Sequence, residues 1–383
     1  MVEIHGDCDP RFERVREAFA SNFEQGLDAG ASVAVTLRGE PVVDLWAGSA
    51  NDDGSKAWEK DTIVNVYSTT KTMTALCALI LADRGELDFY APVAKYWPEF
   101  AQNGKETIEV RHLMSHTAGL PGWEKQITVE DLYDWDKVTS LLAEQAPWWE
   151  AGTVSGYHAI TQGNLVGEVV RRISGKSLGQ FFASEVAGPL DADFHIGLDP
   201  KHDSRVADLI PPEGVAGALA APADSVPGRV FRWPTMNALD SRTRGWRGAE
   251  IPAANGHGNA RSIARIHTVL ANGGEAWGKR LLSPAGCDRI FEEQINGTDL
   301  VLGTPLRHGI GFGLNDPATP LSPNPRTCYW GGWGGSLALI DFDANLVVAF
   351  AMTKMNSTTT GDTRTVALSG AVYESIADLG VAV

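Results

Sequence analysis

Three stretches of this 383-residue chain hold side chains whose types and spacing could do covalent chemistry. The first is Tyr67-Ser68-Thr69-Thr70-Lys71-Thr72-Met73. It opens a helical pattern whose buried positions include Met73, Leu76, Cys77 and Ile80, and it puts Lys71 one turn after Ser68 on the same face. A serine hydroxyl is a weak nucleophile until a base takes its proton. Lys71 can be that base if burial and the positive end of the helix dipole keep its amine neutral. The same helix start would stabilise negative charge developing on an attacked carbonyl oxygen. By itself Ser-x-x-Lys is a weak signal, because chains of this kind contain one by chance and a helix cap beside a solvated lysine explains it as well.

The second stretch, Gly152-Thr153-Val154-Ser155-Gly156-Tyr157-His158, is a loop leading into a helix. It brings Tyr157 to where it could share a proton with the Ser68/Lys71 pair, although a lone tyrosine more often packs with its hydroxyl satisfied. The third, Trp330-Gly331-Gly332-Trp333-Gly334-Gly335-Ser336, falls on a predicted strand. Its glycines remove side chains and let a substrate approach the backbone; a bulged strand between two core tryptophans accounts for it equally.

These residues need elements to position them. Phe12, Val15, Phe19, Phe23 and Leu27 recur at helical spacing and predict an amphipathic helix over 10–27. Strands are predicted at 32–37 and 42–46 with Arg38-Gly39-Glu40-Pro41 as their turn. Helical patterns follow at 75–82, 138–144, 160–173 and 178–186, while 200–252 is rich in Pro, Gly and Ala and reads as long loops. Beyond that stretch the mixed helix and strand patterning of the first residues resumes. A helix is predicted at 261–271, strands through 328–340 and 346–352 turning at 341–345, and a last helix at 363–379. The sequence therefore predicts one discontinuous α/β lobe from 1–71 and 235–383, with a mainly helical lobe, 72–234, inserted in it.

Composition narrows the function. A net charge of -16 repels nucleic acid and anionic lipid. Cys8, Cys77, Cys287 and Cys328 lack the close pairing of zinc or redox motifs and read as free thiols. The N-terminus has neither the basic start nor the apolar stretch of a signal peptide, and no segment is apolar enough to span a bilayer, so the cytoplasm is the expected location. The one Gly-x-Ser-x-Gly match, Gly175-Lys176-Ser177-Leu178-Gly179, falls between two predicted helices rather than on the strand-to-helix turn of an elbow, against an α/β-hydrolase. His112 and His116 have i, i+4 spacing but lack the glutamate of a zincin, and no metal is expected. His257, flanked by Gly256 and Gly258 before a helix, is a candidate pocket residue whose alternative is a turn residue bonded to backbone. Trp123, Trp135, Trp148 and Trp149 either wall a pocket or fill a small core.

Together and in this order the three stretches resemble the β-lactamase and penicillin-binding-protein superfamily, whose signatures are Ser-x-x-Lys, a Tyr-x-Asn-type element and Lys-Thr-Gly. Leu113-Met114-Ser115-His116-Thr117-Ala118-Gly119-Leu120-Pro121 and Gly163-Asn164-Leu165-Val166-Gly167 are similar to stretches of its class C-like members. Trp330-Gly331-Gly332 in place of Lys-Thr-Gly resembles the family VIII carboxylesterases. The resemblance implies an α+β fold of β-lactamase/transpeptidase type, an antiparallel sheet flanked by helices with the site between sheet lobe and helical lobe. It implies Ser68 as nucleophile, Lys71 and Tyr157 as proton relay, and Trp330, Gly331 and Gly332 as the substrate-binding third motif. The backbone N–H groups of Ser68 and Trp333 would form the oxyanion hole, with no cofactor.

The departures bear on substrate class. Trp330 offers no cation where a lysine would hold the carboxylate of a β-lactam or peptide, and Ala159 stands where the lactamase pattern has asparagine. An aromatic wall without a cation fits neutral acyl or alcohol groups. The expected activity is hydrolysis of small, short-acyl carboxylic esters, with Ser68 forming an acyl-enzyme that water releases. β-Lactamase, D-amino-peptidase or acyltransferase activity on the same scaffold is the alternative. A non-catalytic binding protein is disfavoured by the intact Ser68, Lys71 and Tyr157.

Overall fold

A computed structural model of the chain describes residues 2–214, 217–357 and 361–379. Nine strands form one antiparallel sheet in the order Ile4–Cys8, Glu40–Gly48, Gly30–Leu37, Leu346–Met352, Leu337–Asp341, Thr327–Gly331, Gly313–Leu314, Pro305–His308, Ile295–Thr298. All of them come from the two ends of the chain, joined where Gly30–Leu37 pairs with Leu346–Met352. Those two central strands are buried along their whole length, so they read as apolar runs without alternation, as strands covered on both faces do.

Hydrogen bonds identify what covers each face. The Thr36 hydroxyl meets that of Thr268 at 2.7 Å, and Ser32 accepts from the Ala260 N–H, so the even-numbered side chains of Gly30–Leu37 face the Ala260–Ala271 helix. On the other face Tyr373, from the helix Thr363–Asp378, donates to Asp341 at 2.8 Å. The helix Glu13–Glu24 packs beside Thr363–Asp378.

The first hairpin corrects the expected turn. Arg38 and Gly39, at φ 53 and 86, make the reversal by themselves, as a tight hairpin with two left-handed residues does. Glu40 and Pro41 already belong to the strand. Pro41, with no N–H for the ladder, sits where the register slips between Val35 and Thr36.

Between the strands the chain is helical: Thr70–Asp83, Val110–Met114, Trp135–Glu144, Thr161–Ser174 and Leu178–Phe182. Thr70–Asp83 is buried on all sides from Thr70 to Leu81. It packs against Thr161–Ser174, Leu178–Phe182 and Pro284–Asp288. A helix enclosed in this way cannot tilt or slide without disturbing several neighbours, so it holds its first turn firmly. The pattern expected to run helical to 186 leaves the α-helix after Phe182 for a π-turn at Ala183–Ala187. The loop-like stretch 200–252 contains short helices at Pro200–Arg205, Val226–Val230, Ala238–Arg242 and Arg244–Gly248; positions 215 and 216 of it lie outside the described residues. One apolar core runs without a break from the sheet into the helices. Among the described residues, no helix is long and apolar enough to cross a membrane.

Candidate functional site

Ser68 sits in a single 3-10 turn, Tyr67–Thr69, that feeds the helix Thr70–Asp83. Tyr67, just before it, has φ 42, a left-handed conformation that costs a non-glycine residue roughly 1–2 kcal/mol. Packing offsets that strain: the Tyr67 ring lies 5.1 Å from Trp333 and 6.2 Å from Trp246, centroid to centroid. The sharp turn lifts Ser68 out of the helix axis and into a cavity.

Lys71 is 1% exposed. Its Nζ lies 3.1 Å from Ser68 Oγ, 2.7 Å from the Ala159 carbonyl oxygen and 3.0 Å from that of Ala253. Burial holds the amine well below the ordinary lysine range. A neutral amine has two N–H donors and one lone pair, and the surroundings match that count: two carbonyls accept, and the lone pair is left for the serine proton. The Tyr157 hydroxyl stands 2.5 Å from the same Ser68 Oγ, and burial pushes its phenol above the ordinary tyrosine range. Both shifts favour the uncharged pair, an amine able to accept a proton and a phenol able to donate one.

Tyr157 is held by a residue that sequence reasoning missed. The buried Asp299 carboxylate accepts from Ser155 Oγ at 2.5 Å and from the Tyr157 backbone N–H at 3.1 Å. It also accepts from the Val301 and Leu302 N–H groups, both at 2.9 Å. Next to Tyr157, His158 meets the Gly156 carbonyl through Nδ1 at 2.6 Å, and its Nε2 accepts from the Leu120 N–H at 3.1 Å. This is the pattern of a neutral ring carrying its proton on Nδ1, and burial takes it down to about 4.

Trp330, Gly331, Gly332 and Trp333 come from the end of Thr327–Gly331 and the turn after it, and all line the cavity. Gly332 is required by its own backbone neighbours rather than by a substrate. A Cβ there would lie 2.1 Å from the Val66 carbonyl oxygen, 2.4 Å from Ser336 Oγ and 3.2 Å from Ser68 N. The Ser336 hydroxyl ties the two segments together, donating to Val66 O at 2.8 Å and lying 2.9 Å from Thr69 Oγ1. Among the described residues, neither the Ser68 nor the Trp333 backbone N–H has a protein acceptor, so both are free to donate to a substrate oxygen.

His257 is a correction. It is fully buried, on a short strand opposite Asn65 and bonded through its backbone to His195, and it does not line the cavity. Its neighbourhood contributes instead through Ala253 O on Lys71 and through Ala254 in the wall. His112 and His116 do not share a helix face, because the helix ends at Met114 and His116 turns to φ 62. His116 lies under Trp330 and against Tyr157, with centroids 5.6 and 5.0 Å away. None of the four tryptophans lines the cavity: Trp123 is buried core and donates to Val138 O, while the half-buried Trp135 donates to Glu168, Trp148 packs against the cluster of Tyr157 and Trp330, and the Trp149 ring fills the space a side chain at Gly156 would need.

The cavity encloses about 340 Å³ and is mainly apolar. No lysine or arginine lines it among the described residues. Its one carboxylate, Asp362, is paired with Arg364 at 2.6 Å. An uncharged guest is therefore favoured, since a charged one would lose its hydration without gaining a partner.

A family model described as Beta-lactamase matches residues 19–371. The chain is 41% identical to the Esterase/beta-lactamase LipL of Mycobacterium tuberculosis over 81% of its own length and 74% of that protein. It is similar to a family VIII carboxylesterase of known structure, with 42% identity, TM-score 0.92, and 97% of this chain and 100% of that one covered. A penicillin-binding protein homologue from Caulobacter crescentus superposes with TM-score 0.90 at 37% identity, covering 97% and 100% of the two chains. The fold expected from the three motifs is thus the fold observed.

Proposed function

Since the chain belongs to the β-lactamase family, as the match over residues 19–371 shows, we propose that it is a serine carboxylesterase working through an acyl-enzyme on Ser68. The observation that carries this reading is the surroundings of Lys71 Nζ: two carbonyls on its donors, Ser68 Oγ at 3.1 Å and, among the described residues, no carboxylate to hold it protonated. Lys71 takes the Ser68 proton as the hydroxyl attacks the ester carbonyl. The Ser68 and Trp333 N–H groups hold the resulting oxyanion, and the negative charge collapses back to expel the alkoxide. Tyr157, 2.5 Å from Ser68 Oγ, supplies the leaving oxygen with a proton and is reprotonated from the Lys71 ammonium. Water then attacks the acyl-enzyme by the same relay in reverse, leaving Ser68 free and releasing the acid.

The wall around Trp330, which has no lysine or arginine among the described residues, supports esters over substrates that carry a carboxylate. The esterase names of LipL and of the family VIII neighbour point the same way. LipL's name includes β-lactamase as well, so a slow side activity on β-lactams is the second reading, with the open acyl-enzyme chemistry in common. The test is hydrolysis of p-nitrophenyl esters from acetate to octanoate by wild type and by Ser68→Ala, with nitrocefin alongside. Ester turnover abolished in Ser68→Ala and exceeding nitrocefin turnover is the expected result. Nitrocefin hydrolysed as fast as the esters would reverse the order of the two readings.

A further inference from the structure

The cavity at Ser68 does not end at the reacting atoms. Across the pair of strands Thr327–Gly331 and Leu337–Asp341, Tyr329 lies opposite Leu339 and Gly331 opposite Leu337, so these four share one face of the sheet. Asp341, two residues beyond Leu339 on that face, accepts from Tyr373, which marks it as the face under the last helix. Thr365, Val366 and Ser369 from the first turns of that helix line the same cavity as Tyr329, Leu337 and Leu339. Leu337 and Leu339 are buried floor, while Val366 is 57% exposed at the rim. The result is an apolar trough that starts at Ser68 and runs between helix and sheet.

Gly331 keeps the passage open, and with Gly332 and Gly335 it lines the cavity. Any side chain at Gly331 would project from the same face as Tyr329 and Leu337, into the opening itself.

We propose that this trough binds the apolar tail of the ester, a medium-length or bulky alkyl or aryl group, and so extends the substrate range beyond the short acyl groups expected from the sequence. The proposal rests on Ser68 as the reacting residue. Among the described residues the trough has no lysine or arginine, and its carboxylate is held by Arg364, so it favours burial of hydrocarbon over that of charge. Each methylene buried there raises transition-state binding by up to roughly fourfold.

The test measures kcat/KM for p-nitrophenyl acetate against octanoate, and for ethyl acetate against octyl acetate, in wild type, Val366→Asp and Ser369→Phe. Val366→Asp puts a charge on the rim and Ser369→Phe fills the trough from the helix side. In one of the two series the long member is expected to exceed the short by roughly tenfold or more, and both variants should cut that ratio about tenfold. The responding series assigns the trough to the acyl or to the alcohol side. A long-to-short ratio near one in both series, or one that survives both variants, overturns the proposal. Calorimetry on Ser68→Ala separates this from the catalytic reading. If that protein binds p-nitrophenyl octanoate no tighter than acetate and octyl acetate no tighter than ethyl acetate, the trough is wrong whatever Ser68 does. If it binds the long member of either pair tighter, the added Ser369→Phe weakens that binding, and wild type turns over no ester, then the trough stands and the catalytic reading fails.

Discussion

Asp299 should be worth more to this enzyme than its distance from the chemistry implies. Its carboxylate receives four hydrogen bonds in a fully buried site, from Ser155, Tyr157, Val301 and Leu302. Asp299→Ala leaves four donors without an acceptor, each costing about 1–3 kcal/mol when buried. Local relaxation and entering water reduce the sum, so a loss of about 4–6 kcal/mol is expected, against a total stability of about 5–15 kcal/mol for a typical domain. Asp299→Asn is milder. Its amide oxygen can replace Oδ1 under the three N–H groups, and its NH2 can donate to Ser155 Oγ, leaving a loss of only about 1–2 kcal/mol from the missing charge. Catalysis should separate from stability, because freeing the Tyr157 backbone lets its hydroxyl drift from Ser68 Oγ, and about 1 Å of misplacement costs around 10²-fold in rate. Urea unfolding gives the stability loss, and kcat on p-nitrophenyl butyrate gives the rate. Asp299→Ala that is as stable as wild type and turns over at the wild-type rate would refute the argument that this carboxylate positions Tyr157.

Other perturbations read the same arrangement. Lys71→Arg keeps a permanent cation and removes the base, so kcat should fall about 10²–10⁴-fold. In wild type, kcat/KM should rise with pH as Lys71 loses its proton, with a midpoint far below the ordinary lysine range, since burial disfavours the ammonium; a midpoint in the kcat/KM profile at the ordinary lysine value contradicts this. Gly332→Ala puts a Cβ 2.1 Å from Val66 O, so the strand must move off the Ser68 turn; loss of most activity with folding preserved, checked by circular dichroism, is the expected outcome. Buried histidines make the fold acid-sensitive. His158, His267 and His308 are lowered to about 4 and His257 to about 3, all by burial. Depressed folded values mean that the unfolded chain binds protons first, so stability is full above about pH 6.5 and is lost as pH falls from there toward 4. The urea midpoint should drop steeply between about pH 7 and about pH 5, and an unchanged midpoint would contradict it.

Ser68 and Lys71 are legible in the sequence because their relationship is local, one helical turn with the apolar positions of that helix beside it. Tyr157, Trp330 and Trp333 are legible through the order of three motifs along the chain. What stays hidden is non-local or carried by backbone. Asp299 meets Tyr157 across 142 residues and stands in an ordinary turn sequence, Gly297-Thr298-Asp299, with nothing to mark it. The acceptors on Lys71 are the carbonyls of Ala159 and Ala253, and no side-chain pattern can announce a carbonyl. His257 misleads for the converse reason: a histidine between glycines looks like a pocket turn, whereas those glycines make room for the Phe194 ring, 2.5 and 2.4 Å from where their Cβ atoms would be. Pro41 reads as a turn residue because proline usually marks one, but a slip in register lets the strand contain it. The stretch 328–340, expected as strand, is broken by a turn at 332–336 between Thr327–Gly331 and Leu337–Asp341, where the glycines of the third motif fall, whereas Leu346–Met352 begins and ends where its apolar run does.

Acylation of Ser68 is the step on which every other role in the site depends. Rapid quenching of wild type with p-nitrophenyl butyrate, followed by intact-mass and peptide analysis, should reveal one added butyryl group on the peptide containing Ser68 and none on Ser68→Ala. Turnover by Ser68→Ala at the wild-type rate, or a butyryl group trapped on another residue, would contradict it.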